Sequence, residues 1–392
     1  MRLSESATLE MTRKSRELKA KGVDIITLSI GEPDFDTPDD IKKSAIQAID
    51  DNYTHYPPVP GFLELRQAIA DKLKRDNGLD YQASQIVVSN GAKQSLTNIF
   101  MVLLDEGDEV IIPSPFWVSY PEMIKMADGN PVYIDAGIET DFKVTPEQIE
   151  AAITPKTKAF LLNSPGNPTG SVYTKEELKA IAAVFEKYPD IVIVSDEIYE
   201  LILFDGIHES IAQFENIKEQ VVIVNGVSKG FAMTGWRIGY IAAPQFLAGA
   251  INKLQGQYTS GAGTISQMAA LRAMTTHPAH SAALKNMVTT FKERRDLLID
   301  LMKDIPGIKL NVPSGAFYLF PDVSSYYGKS DGGSVIENSN DLCIYLLNKA
   351  HVALVPGEAF GSPKCIRFSY ATSNDLIKEA IKRIKAALEV LR

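Results

Sequence analysis

The chain has 392 residues, 45% hydrophobic and 23% charged, an ordinary globular balance over a length that allows more than one core. Its 40 Lys and Arg against 49 Asp and Glu give a formal charge of −9, which excludes a broad basic footprint for nucleic acid. The longest apolar runs, such as 191–194 and 221–224, fall far short of the roughly 20 residues that span a bilayer, which excludes a membrane-spanning helix.

The first 21 residues are polar and charged, with no apolar leader, and Cys343 and Cys365 are the only cysteines. A soluble, reduced, cytoplasmic protein is the expectation. From about residue 80 to 245, β-rich runs at 86–89, 110–112, 132–134, 159–162, 191–194, 221–224 and 238–241 alternate with helical patterns. Helices are predicted over 92–104 and 175–187, the second opened by Thr174 as N-cap with Glu177 three residues on. This alternation predicts an α/β fold around a mostly parallel sheet covered on both faces. After residue 281 the pattern changes to a long charged helix over 282–303, strands around 315–318 and 365–369, and an amphipathic helix from Asn374, which together read as a smaller α+β unit. His277 and His280 read as loop residues, and no metal site is expected.

Ligands of open α/β sheets bind beyond the carboxyl ends of strands, so the residues following each run carry the functional argument. Run 159–162 leads into Asn163-Ser-Pro-Gly-Asn-Pro-Thr-Gly170, where Pro165 and Pro168 restrict the backbone around Asn167. Run 191–194 leads into Ser195-Asp-Glu-Ile-Tyr199, and run 221–224 into Asn225-Gly-Val-Ser-Lys-Gly230 and then Thr234-Gly-Trp-Arg237. Each piece alone reads as a turn, a helix cap or a surface charge. Together, the Lys229 amine, Asp196 carboxylate, Tyr199 phenol, Asn167 amide and Arg237 guanidinium supply what a pyridine aldehyde phosphate requires. Run 86–89 is followed by Asn90-Gly-Ala-Lys93 and a helix, which places free N–H groups of Gly91 and Ala92 as a phosphate cradle.

These motifs run in order from Gly31-Glu-Pro-Asp-Phe-Asp-Thr-Pro38 to Arg367, and with Ser228-Lys229 and Thr234-Gly-Trp-Arg237 they resemble the class I aminotransferases of pyridoxal phosphate (PLP) fold type I, in the bacterial aspartate aminotransferase-like branch. The resemblance implies a large domain with a mostly parallel seven-stranded sheet and a smaller α+β domain. The expected division is 1–40 as N-terminal arm and part of the small domain, 41–281 as large PLP-binding domain, and 282–392 as small C-terminal domain. It further implies pyridoxal 5'-phosphate bound through a Schiff base to Lys229, which also serves as acid and base. Asp196 would face the pyridinium nitrogen, Tyr199 and Asn167 the ring oxygen, and Trp117 the ring face.

Arg237, with the N–H groups of Gly91 and Ala92, would hold the phosphate. Gly226 stands where many relatives carry a phosphate-binding hydroxyl, and Ser228 is the candidate substitute. Tyr56 resembles the tyrosine that reaches the neighbouring subunit's phosphate, implying a homodimer with a shared active site. Arg367 and Gly31 would receive the substrate α-carboxylate. Lys93 would pair with a distal carboxylate, with Ser6-Ala-Thr8 closing over it, or serve only the phosphate. The implied reaction moves the amino group of aspartate or a related dicarboxylic amino acid to 2-oxoglutarate. A prephenate or aromatic aminotransferase of broad specificity, or a PLP-dependent lyase, is the alternative; Ser4 and Glu5, where a basic residue accompanies prephenate activity, weigh against the former.

Overall fold

The computed structural model describes residues 7–333 and 335–392. Seven strands form the central sheet: β1 (Ile86–Ser89), β2 (Glu109–Ser114), β3 (Asn130–Asp135), β4 (Thr157–Asn163), β5 (Val192–Asp196), β6 (Val221–Gly226) and β7 (Gly239–Ala242). Their spatial order is β1-β7-β6-β5-β4-β2-β3. Strand β7 runs antiparallel to both β6 and β1, and the pairings among β2 to β6 are parallel, so the expected mostly parallel sheet is observed.

The unbroken apolar runs follow from burial of both faces. Successive strand side chains point to opposite sides, and Val221 and Ile223 join one core cluster while Val222 and Val224 join the other. The first cluster is covered by helices Leu63–Asn77, Lys175–Phe185 and Thr264–Thr275. The second is covered by Ala92–Leu103 and Gln245–Tyr258. The 175–185 helix carries the expected capping box: Thr174 Oγ1 accepts from the Glu177 N–H at 3.2 Å, and Glu177 Oε2 accepts from the Thr174 N–H at 2.7 Å. It stops two residues short of the predicted end.

Another core cluster joins the two ends of the chain. Ile25, Ile26 and Leu28 pack among residues from Leu284 to Leu391, and strand Ile26–Thr27 pairs in parallel with Val352–Ala353. Here Ile366–Ser369 pairs antiparallel with Val355–Pro356 and with Tyr318–Leu319. The strand predicted over 315–318 is shorter than expected because Ala316 adopts φ +56°, outside extended geometry, so the ladder starts only at Tyr318. The 31–38 segment crosses between these cores. Asp34 accepts a two-pronged ion pair from Arg294 at 2.7 and 2.9 Å, while Thr37 Oγ1 donates to the Ala232 carbonyl and accepts from Trp236 Nε1. No helix among the described residues is long and apolar enough to cross a membrane.

Behind the end of β5 lies a buried charged group. Lys72 Nζ donates to Glu200 and to Asn77 Oδ1, and His208 Nε2 meets Glu197 Oε2 at 3.0 Å. Glu197, Glu200 and His208 offer three ligand atoms within 4.8 Å of one another, but the Lys72 ammonium already pairs with Glu200 there. Removing one partner of such a pair strands the other charge in low dielectric. Lys72→Met is therefore expected to lower unfolding free energy by about 3–5 kcal/mol, and the double variant Lys72→Met with Glu200→Leu to recover most of it. Urea unfolding measures both, and an equal loss in the double variant would contradict this account.

Candidate functional site

The parallel register brings the polar strand ends together. Asn163 pairs with Asp196 across β4 and β5, and Asp196 with Val224 across β5 and β6. Asp196 thus occupies the last position of its strand, which extends two residues beyond the apolar run that ends at Val194. Asn163 Nδ2 donates to the Asp196 carbonyl at 2.9 Å, and Asn163 Oδ1 accepts from the Asn167 N–H at 2.9 Å, so one side chain ties the Pro-rich turn to β5.

The Asp196 carboxyl is buried, and burial raises it to about 6 even though the Tyr120 hydroxyl and the Ile198 N–H both donate to it, at 2.7 and 3.2 Å. A cation set against it would restore its charge. Lys229 follows β6, and its Nζ donates to the Gly31 carbonyl at 2.6 Å while lying 5.7 Å from the Tyr199 ring centroid. Burial lowers its amine to about 8; Glu32 opposes that shift, and Arg367 and Arg237 add to it.

Three further cations surround the same cavity of about 310 Å³. Arg367 is 2% exposed; its guanidinium donates to Asn167 Oδ1 at 3.0 Å and to the Ser29 carbonyl at 2.7 Å, and its Nε has no partner. Arg237 adopts φ +57° and donates to the carbonyls of Thr234 and Asn90. Lys93 Nζ lies 4.9 Å from the Trp117 ring, its amine lowered by burial and then by Arg237. Among the described residues, none of these three forms an ion pair with a carboxylate. Buried or clustered cations left without counterions mark a site for anionic ligands, here with room for more than one negative group.

Bare backbone shapes one end of the cavity. A Cβ at Gly239 would come 2.2 Å from the Ala92 nitrogen, and one at Gly91 (φ +85°) 2.2 Å from Arg237 Nη2. The helix N-terminus, its free N–H groups and Arg237 therefore converge as an anion cradle. At Gly226 a Cβ would meet the Ile238 carbonyl oxygen at 2.7 Å, so the β6–β7 pairing leaves no space for a hydroxyl there. Ser228 instead lines the cavity.

Of the residues singled out in the sequence, Gly31, Ala92, Lys93, Trp117, Asn167, Asp196, Tyr199, Ser228, Lys229, Arg237 and Arg367 all line this cavity. Gly91 lies immediately beside it, against Arg237. Tyr56 does not reach it and is 98% exposed. Ser6 and the side chains of Ala7 and Thr8 lie outside the described residues. Sequence reasoning passed over Tyr120, Asn163 and Tyr318, which also line the cavity. Asn163 could have been found as the residue in step with Asp196 at the end of a parallel neighbour. Tyr120 and Tyr318 carried no signal, since a buried tyrosine in an aromatic run reads as core.

A family model described as aminotransferase class I and II matches residues 23–384. A Petunia hybrida protein named bifunctional aspartate aminotransferase and glutamate/aspartate-prephenate aminotransferase is 48% identical, covering 99% of this chain and 81% of that protein. An aspartate/prephenate aminotransferase of Nitrosomonas europaea is 46% identical over 98% of each. Among solved structures, aspartate aminotransferase from Rhizobium meliloti superposes with a TM-score of 0.96 at 42% identity, covering 99% of this chain and 97% of that one. The Thermus thermophilus aspartate aminotransferase with maleate superposes at 0.92 with 41% identity, covering 98% and 97%.

Above about pH 8 the Lys229 amine is neutral and nucleophilic. In protein stripped of cofactor, its acylation by acetic anhydride is expected to rise with a midpoint near that value, well below the roughly 10.4 of surface lysines. Peptide mass mapping across pH measures this, and a midpoint with the surface lysines would refute the burial argument.

Proposed function

Because this chain belongs to the class I and II aminotransferases, we propose that it moves the amino group of aspartate, or a related dicarboxylic amino acid, to 2-oxoglutarate. The observation that carries the reading is one cavity holding the Lys229 amine and the Asp196 carboxyl among three cations without counterions. Enzymes of this family are PLP-dependent, and the donor set fits that cofactor: an amine, a carboxylate, a phenol, an amide and a cationic anion cradle. When bound, PLP supplies an electron-withdrawing ring that stabilises the negative charge left at the substrate Cα.

Lys229 anchors the cofactor and moves the proton at Cα, a task suited to an amine that titrates near 8. Asp196 would hold the ring nitrogen, where a protonated partner would offset the burial that raises its carboxyl. Tyr199 and Asn167 would hold the ring oxygen, and Trp117 would cover the ring face. Arg237, Ser228 and the N–H groups of Gly91 and Ala92 would hold the phosphate. Arg367 receives the α-carboxylate as a guanidinium fork beside Gly31, and Lys93 receives the distal carboxylate.

The exposed Tyr56 serves a neighbouring copy, in a homodimer with a shared active site. Residues 41–281 form the cofactor-binding domain, with 282–392 and the segment before residue 41 as the smaller unit around it. Cys343 and Cys365 are free and buried, which suits a cytoplasmic setting. The dicarboxylate preference is supported by the names of the relatives and by maleate, itself a dicarboxylate, in the Thermus structure. The second reading, prephenate as an acceptor, is favoured by the names of the Petunia and Nitrosomonas relatives.

The test is a half-reaction panel of the PLP-loaded protein against aspartate, glutamate, tyrosine, alanine and arogenate, following cofactor absorbance. Aspartate and glutamate are expected to react fastest; ammonia or pyruvate released without an acceptor would point to a lyase instead. Lys93→Ala is expected to lower kcat/KM for aspartate by about 10–100-fold, the worth of a charged hydrogen bond, and to leave tyrosine nearly unchanged. An equal loss on both substrates would overturn the role of Lys93. Asp196→Ala is expected to lower kcat by on the order of 10³-fold, as loss of a preorganised charge does.

A further inference from the structure

Arg367 poses an electrostatic problem that the hydrogen bonds alone do not solve. A guanidinium 2% exposed, with only two oxygen acceptors and its Nε unpartnered, is costly to keep charged. A carboxylate from the protein would neutralise it, but would also occupy the edge a substrate needs. Two aromatic faces take that place: the Tyr318 ring centroid lies 4.6 Å from the guanidinium carbon and the Phe360 centroid 5.0 Å. Ring faces stabilise a cation while leaving its N–H edge free.

The other end of Tyr318 reaches a second functional group. Its hydroxyl lies 2.8 Å from the Tyr199 hydroxyl, and both phenols are buried. Space for it depends on Gly31, where a Cβ would come within 2.7 Å of the Tyr318 oxygen. Burial raises both phenols, but the Arg367 charge is the foremost influence holding Tyr318 down, while Tyr199 is pushed well above the ordinary range. A phenol carries one proton, so with that of Tyr199 directed at the cofactor's ring oxygen the 2.8 Å contact calls for Tyr318 as the donor.

We propose that Tyr318 is a positioning residue with two separable tasks: its ring stabilises the Arg367 guanidinium and aims it at the α-carboxylate, and its hydroxyl donates to Tyr199, freeing the Tyr199 proton for the cofactor's ring oxygen. The inference rests on the roles given above to Arg367 and Tyr199. Because Gly31 also carries the carbonyl that accepts from Lys229, the same backbone position accommodates the Tyr318 hydroxyl and contacts the catalytic amine.

The experiment compares Tyr318→Phe and Tyr318→Leu in the PLP-loaded enzyme. Tyr318→Phe retains the ring and loses the hydroxyl. Tyr199 then becomes a weaker donor, the ionised ring oxygen is less stabilised, and the pH midpoint of the cofactor's visible absorbance rises by about 0.4–1 unit, the worth of one neutral hydrogen bond. KM for aspartate stays within about twofold. Tyr318→Leu removes the ring as well, and KM for aspartate rises by about 5–30-fold, the scale of a desolvated cation–π contact.

In a Tyr199→Phe background the added Tyr318→Phe change moves the midpoint no further, because the relay has lost its middle member. Melting temperatures of the cofactor-free variants are measured alongside. Variants that lower only the melting temperature, with midpoint and KM unmoved, would make Tyr318 a core residue and overturn the proposal. If Tyr199→Phe itself fails to raise the midpoint, the reading of Tyr199 falls and the hydroxyl task with it; Arg367→Lys, expected to raise KM for aspartate, tests the other underlying assignment in the same way.

Discussion

The in-register parallel pairing of β4, β5 and β6 is the constraint on which the site depends. It puts Asn163 beside Asp196 and Asp196 beside Val224, so three chain segments far apart in sequence end at one edge of the sheet. A slip of one residue in any of these pairings would turn Asp196 away from the cavity, because successive strand side chains face opposite ways. The two apolar clusters that bury the faces of β6, with Val221 and Ile223 on one side and Val222 and Val224 on the other, hold that register in place. Packing on both faces of the sheet thus fixes the chemistry at its end.

Desolvation then sets the two titrating groups that matter most, in opposite directions. The same cavity that raises the Asp196 carboxyl to about 6 lowers the Lys229 amine to about 8, because burial penalises the charged form of each. Both groups are thereby poised to respond to a bound ligand's charges. The cations around them contribute further: Arg367 and Arg237 each push the Lys229 amine down, while forming no ion pair with a carboxylate among the described residues. Positive charge that would be a liability in an ordinary core is maintained by carbonyl oxygens, an amide oxygen and aromatic faces, so it is available to phosphate and carboxylate groups.

The 31–38 segment links this electrostatics to the packing of the chain's two ends. Gly31 accepts from Lys229, Thr37 is tied to the loop after Lys229, and Asp34 is held by Arg294 of the long helix over residues 282–302. Strand Ile26–Thr27 anchors the residues just before it against Val352–Ala353. Glycine is needed at position 31 because a side chain would strike the Tyr318 hydroxyl. A segment that looks like a simple turn-rich stretch therefore ties Lys229 to Arg294 and to the space that Tyr318 occupies.

The sequence by itself determined the strand and helix pattern, the α/β class and the chemical types gathered at the strand ends, because periodicity and capping are local and write themselves into neighbouring residues. Asn167, Asp196, Tyr199, Lys229 and Arg237 were legible because each follows a recognisable apolar run. Tyr120 and Tyr318 were not, since nothing near them in the chain separates a hydrogen-bonded phenol from a core ring. Only the tertiary structure decided that Tyr120 donates to Asp196, that Tyr318 meets Tyr199 across 119 residues, and that Arg367 meets Asn167 across 200. It also decided why no side chain fits at Gly226, where the carbonyl of Ile238 fills the space. The physical reason is the same in each case: hydrogen bonds, cation–π contacts and steric exclusion act over a few ångströms in space, and sequence separation does not encode which distant atoms will share those few ångströms.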